Sequence, residues 1–196
     1  MPRITADTVA EHVRLQEAAV VRSAARLFAE RGVSDVSLAD IAADVGLARN
    51  SLYRYFPDKA HIFAAWFRTE LEPLQAASDE IADDHAPAGV RLDRWLELHL
   101  EYLVAPEHQA MMAAAGDSSL LSDDTREVIG LGHAQLYATL DRIVADLVGK
   151  RRDPEAAAAY VTGLLRTTAD LVIAGSDRVT ATKELLRLAH TACWDT

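Results

Sequence analysis

Residues 37–63 read SLADIAADVGLARNSLYRYFPDKAHIF, and this stretch decides the fold. Leu38, Ile41, Ala42 and Val45 recur at i, i+3, i+4 and i+7, the apolar stripe of a short amphipathic helix. Ser37 stands at the N-cap position, and Asp40 three residues on approximates a capping box. Gly46 follows the last apolar residue, where a left-handed backbone lets the chain turn sharply. A second helix is expected from about Ala48 to Phe56, because Pro57 forbids its clean continuation. Ala48, Leu52 and Phe56 are four apart and form its inner face, leaving Arg49, Asn50, Ser51, Tyr53 and Arg54 outward. Asp58 is the expected N-cap of a further helix from Lys59.

Two short helices, a tight turn and an outward face of basic and aromatic side chains suit the reading of duplex DNA. The major groove admits one helix, whose N-terminal residues meet base edges. Arg49 has the donors for a guanine, and Asn50 the donor and acceptor for an adenine. Ser51, Tyr53 and Tyr55 offer hydroxyls to phosphate oxygens. Ser37 and Lys59 lie at helix N-termini, which attract phosphate. The same Tyr/Arg face also suits an acidic protein partner, so a helical protein-interaction adaptor is the competing reading.

Three ordered motifs now stand at fixed spacing: Leu27-Phe28-Ala29-Glu30-Arg31-Gly32, then Ser37 to Gly46, then Ser51-Leu52-Tyr53-Arg54-Tyr55-Phe56-Pro57-Asp58-Lys59. Together they resemble the TetR family of bacterial transcriptional regulators over roughly residues 15–63. The resemblance implies an all-α protein. It has an N-terminal three-helix helix-turn-helix domain over 1–63, with an arm of about residues 1–14. A larger C-terminal helical ligand-binding and dimerisation domain covers 64–196. It also implies a homodimer on a palindromic double-stranded DNA operator, most simply a repressor, released by a small-molecule effector of unknown identity. By position, Tyr53, Tyr55 and Lys59 match the family's common phosphate contacts, and Arg49, Asn50 and Ser51 match positions that usually touch bases. Ala39 departs from members that carry a polar or basic groove-reading residue there. Arg54 falls at a variable position, which leaves its target open. Arg3 and Arg14 lie in the arm, which is either disordered or an extension of helix 1. Solvated surface is the simpler account of both arginines.

The net charge of −10 is unevenly spread. Residues 1–70 hold nine Lys/Arg and nine Asp/Glu, against eleven and twenty-one in residues 71–196. The DNA-facing part is therefore spared the acidity, and salt screens distant carboxylates over about 10 Å at 0.1 M. Cys193 is the single cysteine, so no intrachain disulfide can form. No secretory leader and no membrane-length apolar run occurs, which points to the cytoplasm. HExxH, CxxC, GxSxG and P-loop signatures are missing, and Asp58 and His61, spaced like metal ligands, are explained by capping. No enzyme activity, cofactor or metal is expected.

The remaining chain reads as long helices. Trp95, His99 and Tyr102 share one face of an amphipathic stretch from Val90 to Val104. With Met111, Met112 and Tyr137 they are the candidate ligand-binding set, ordinary core being the alternative for each. Residues 116–124 read as a loop, with Ser122 or Asp123 capping the next helix. Asp153 and Pro154 open a long helix that is apolar on more than one side. In the resembling family the last two long helices form a four-helix dimer interface. Leu136, Ile143, Ala158, Val161, Leu165, Ala169 and Val172 are its candidates here, with burial inside the chain as the alternative.

Overall fold

The structure, a computed structural model, describes residues 6–116, 123–149 and 152–193. Among them the chain is all-α, in the order α1 (Ala6–Arg31), α2 (Leu38–Asp44), α3 (Arg49–Leu52), α4 (Lys59–Asp83), α5 (Ala88–Val104), α6 (Pro106–Ala115), α7 (Asp123–Val148), α8 (Pro154–Ile173) and α9 (Arg178–Cys193). Arg3 and the loop and cap expected at residues 117–122 lie outside the described residues. Residues 6–14 of the arm are helical and continue α1. Among the described residues no helix is long and apolar enough to cross a membrane.

The chain forms two compact units, residues 1–70 with 110–130, and residues 71–109 with 131–196. This differs from a single cut at residue 63. The first turns of α4 bury Ile62, Phe63, Trp66 and Phe67, which makes them core of the first unit. Val20, Ala24, Leu27 and Phe28 of α1, Ile41 and Ala42 of α2, and Leu52 of α3 are buried in the same unit. Trp66 sets the geometry, lying edge-on to Phe63 at 5.8 Å and tilted to Phe28 at 6.3 Å. A polar clamp joins α1 to α2: Ser23 Oγ donates to Asp44 at 2.6 Å, and the Arg26 guanidinium does so at 2.6 Å. The Ser23 hydroxyl and then Arg26 hold the Asp44 carboxyl below the usual carboxylate range.

The second unit is centred on Leu92, Trp95, Leu96 and Leu100 of α5. Around them pack Leu140, Ile143 and Val144 of α7, Val161 and Leu165 of α8, and Leu185 and Ala189 of α9. Arg91 is buried in this unit with every guanidinium nitrogen bonded. Its guanidinium donates to the carbonyls of Ala82 and Ala86 at 2.9 and 3.1 Å, at the end of α4, and to the Asp146 carboxylate at 2.8 Å. An apolar core accepts such a charge only when it is paired and its donors are filled.

Candidate nucleic-acid interface

The turn between α2 and α3 is built from its own backbone. Ser37 Oγ accepts from the N–H of Asp40 at 3.2 Å, and the Asp40 carboxylate accepts from the N–H of Ser37 at 2.8 Å, a complete capping box. The Ser37 hydroxyl and then its backbone N–H lower the Asp40 pKa. At the other end Gly46 N–H bonds the Ala43 carbonyl at 3.2 Å, and Leu47 N–H bonds that of Ala42 at 2.8 Å. This pair of bonds is a Schellman motif, and it requires the left-handed φ of +70° that Gly46 adopts.

α3 is shorter than its expected span of Ala48 to Phe56. Ala48 is the exposed N-cap and not an inner residue, and helical geometry stops at Leu52. The Arg54 and Tyr55 N–H groups bond three residues back, to Ser51 and Leu52, which tightens the last turn ahead of Pro57. Leu52 and Phe56 are buried as the spacing implied. Asp58 caps α4, accepting from the His61 N–H at 2.9 Å.

Arg49, Asn50, Tyr53 and Arg54 are exposed, and Ser51, Tyr55 and Lys59 are half-buried. The Arg49 guanidinium lies over the Tyr53 ring at 5.9 Å and donates to its hydroxyl at 3.2 Å. Lys59 Nζ donates to the Val33 carbonyl at 2.9 Å, leaving two ammonium protons for another acceptor. The Ser37 hydroxyl is engaged with Asp40 in the capping box. None of these bonds neutralises a charge: Arg49 meets a phenol and Lys59 a carbonyl. Elsewhere Arg14, Arg26, Arg91, Arg94, Arg142, Arg178 and Arg187 each pair with a carboxylate, while Arg166, like Arg49, lies over a tyrosine ring and meets its hydroxyl.

The candidate ligand set is only partly brought together. Trp95 and His99 are buried and stacked, with centroids 3.5 Å apart and planes at 18°, and Tyr137 lies 6.3 Å from Trp95. Trp95 Nε1 donates to Thr139 Oγ1 at 2.8 Å. His99 Nδ1 donates to the Trp95 carbonyl at 2.8 Å, and burial pushes its pKa down to about 4, so the ring is neutral. Met111 and Met112 belong to the other compact unit, Met111 buried and Met112 exposed. Sequence reading overlooked Gln75, Ser78 and His108, whose polar atoms the fold buries in the second unit. Periodicity does not distinguish a buried histidine from an exposed one at a helix start.

Most of the expected dimer set is buried within the subunit. Ile143, Ala158, Val161, Leu165 and Ala169 are buried in the subunit's own core, Leu136 is buried as well, and α5 and α9 cover α8 on that side. Val172 keeps part of its surface. The outward side of α8 and α9 instead carries Tyr160, Leu171, Ile173 and Val179, each about half exposed or more. A groove of about 450 Å³ lies between the two helices, lined by Leu164, Thr167, Leu171, Ala181 and Leu188 among others.

A capped α2, a glycine turn and a short α3 with an open basic face define a helix-turn-helix protein. Residues 20–66 match the model of the bacterial regulatory proteins of the tetR family. The chain is 45% identical over 58 residues to the regulator MftR of Mycobacterium tuberculosis, a match covering 30% of this chain and 29% of MftR. It is 32% identical over 102 residues to the HTH-type transcriptional repressor KstR2 of M. tuberculosis, covering 52% of this chain and 50% of KstR2. The matched part of the chain thus spans half or less of these relatives. The fold is shared with the transcriptional regulator FadR of Bacillus subtilis, solved in complex with stearoyl-CoA. That likeness has a TM-score of 0.71 at 18% identity and covers 89% of this chain and 98% of FadR. These relatives are regulators of transcription.

Proposed function

We propose that this chain is a transcriptional repressor that binds a palindromic operator as a homodimer and is released by a small-molecule effector. Residues 1–63 read DNA, and residues 64–196 take the effector and dimerise. The observation that carries this reading is the unneutralised charge on α3 and the start of α4. In a chain with 30 carboxylates, Arg49 and Lys59 are satisfied by neutral oxygens, and Arg54 is exposed without a carboxylate partner among the described residues. Cations kept from acids at the surface are suited to phosphate. In this reading Arg49, Asn50 and Ser51 meet base edges, while Ser37, Tyr53, Arg54, Tyr55 and Lys59 meet the backbone.

The dimer is assigned to the outward face of α8 and α9. Tyr160, Leu164, Thr167 and Leu171 fall on one stripe of α8, with Val172 beside it, and Gly163 permits close approach of a partner helix. Two copies joined there would present α3 twice, and half-sites in adjacent grooves are about 34–36 Å apart. The effector site is assigned to the unit holding Trp95, His99, Tyr102 and Tyr137.

A gel-shift with fragments from the region upstream of the protein's own coding sequence tests the proposal. Selective retention that weakens with added salt is expected. Retention of every duplex alike, or of none, favours an adaptor that presents the same Tyr/Arg face to an acidic protein.

A further inference from the structure

Within the second unit, two contacts set α4 and α5 in antiparallel register. Arg91 reaches the Ala82 carbonyl, and His99 Nε2 lies 3.4 Å from Ser78 Oγ. One helical turn beyond the Ser78–His99 contact, Gln75 on α4 comes level with Tyr102 on α5. Tyr102 packs its ring on His108 of α6, with centroids 4.4 Å apart, and His108 feels the charge of His133 on α7. Four helices therefore deliver side chains to one level of the bundle.

Gln75 Oε1 and His108 Nδ1 are buried without a hydrogen-bond partner among the described residues. Folded proteins rarely leave such atoms unmatched, and two together call for a group that completes both. The Gln75 amide is oriented by Asp79, whose carboxylate accepts from Gln75 Nε2 at 3.1 Å, so the oxygen is the end left over. An amide oxygen only accepts. His108 is 6% exposed, and burial with His133 beside it brings its pKa down to about 4. Its Nδ1 therefore offers an N–H or a lone pair, and no charge. Arg91, a buried cation of this unit, is already engaged by Ala82 and Ala86 and paired with Asp146.

We infer that Gln75 and His108 form the polar end of the effector site, and that this site takes an uncharged, hydroxyl-bearing ligand on an apolar body. The inference rests on the regulatory reading above. A hydroxyl donates to Gln75 Oε1 and accepts from His108 Nδ1–H through one oxygen. A carboxylate or phosphate brings only acceptors to Gln75 and a charge that the Arg91 guanidinium is not free to meet. An ammonium would donate to Gln75 but bury its charge against a neutral imidazole. The Trp95–His99 stack and Tyr137 supply flat apolar surface to the same unit.

The test uses the full chain and four probes on each of two bodies, octyl and naphthylmethyl: the alcohol, its methyl ether, the carboxylate and the primary amine. Binding is read by calorimetry and thermal shift. The alcohol is expected to bind on at least one body, and its ether about tenfold more weakly for lack of the donor. Gln75→Leu and His108→Phe should each bring the alcohol down to the level of the ether. Without ligand both variants should melt higher, because each removes an unpartnered buried polar atom. Four results would overturn the inference: a carboxylate or amine that outbinds the alcohol, an alcohol-to-ether ratio untouched by both variants, no binding by any probe, or lower melting of both ligand-free variants. Release of DNA is scored separately. Alcohol binding that depends on Gln75 and His108, without release of the upstream fragment, leaves the site standing and removes the regulatory reading.

Discussion

Arg49 and Tyr53 occupy one face of α3 and touch each other, yet the roles proposed for them differ. A base-reading Arg49 should matter most on the right sequence. Arg49→Ala is expected to cost about 1–3 kcal/mol on the operator and little on random duplex, measured by competitive gel-shift. Equal losses on both would remove its base-reading role. Lys59 is placed for phosphate, with two protons free beyond its bond to Val33. Lys59→Ala should weaken all duplexes alike and reduce the slope of log K against log salt by about 1. An unchanged slope would return Lys59 to a purely structural role, tying α4 to the loop at Val33.

At the scale of the element, the helix-turn-helix depends on a backbone conformation more than on any contact. Gly46 has φ of +70°, and a Cβ added there would meet nothing within 4 Å. The cost of Gly46→Ala is therefore conformational strain alone, about 1–2 kcal/mol in urea denaturation. Gly46→Asn should lose less, because asparagine tolerates the left-handed region better. Equal loss in both would mean that the space around the turn is tighter than it looks. Ser37→Ala removes the N-cap side chain of α2 and should cost about 1 kcal/mol by the same measurement. The brevity of α3 follows from local chemistry: three-residue bonds close its last turn ahead of Pro57.

At the scale of the whole molecule, two buried histidines make stability depend on pH. His99 and His108 both have pKa values pushed down to about 4, by burial first, against about 6.5 when unfolded. The unfolded chain thus binds more protons between these values, so the stabilising contribution is complete above about pH 6.5. It is lost as pH falls from about 6.5 to about 4, at most roughly 3 kcal/mol for each histidine. His99→Phe keeps a ring against Trp95 and should flatten this part of the stability–pH curve in urea titrations at pH 7.5 and 4.5. An unchanged curve would show that His99 titrates normally. The assembly gives a second prediction at this scale. Leu171→Glu, on the outward stripe of α8, should shift light-scattering mass toward the monomer and weaken operator binding without unfolding the chain.

The sequence by itself determined the parts held by local bonds. Ser37, Asp40, Gly46, Pro57 and Asp58 act on neighbours within five residues, so caps, turn and helix order were legible before any packing was known. The outward Arg49–Arg54 face was legible for the same reason, since Leu52 and Phe56 could face only inward. Only the tertiary structure decided how side chains were shared among long helices. α8 is apolar around much of its circumference, and periodicity did not say which side α5 and α9 would take, so residues expected at a dimer seam lie in the subunit core. It also decided that Gln75 and His108, 33 positions apart in sequence, would each be left with a buried, unmet hydrogen-bonding atom, because burial depends on contacts between distant helices.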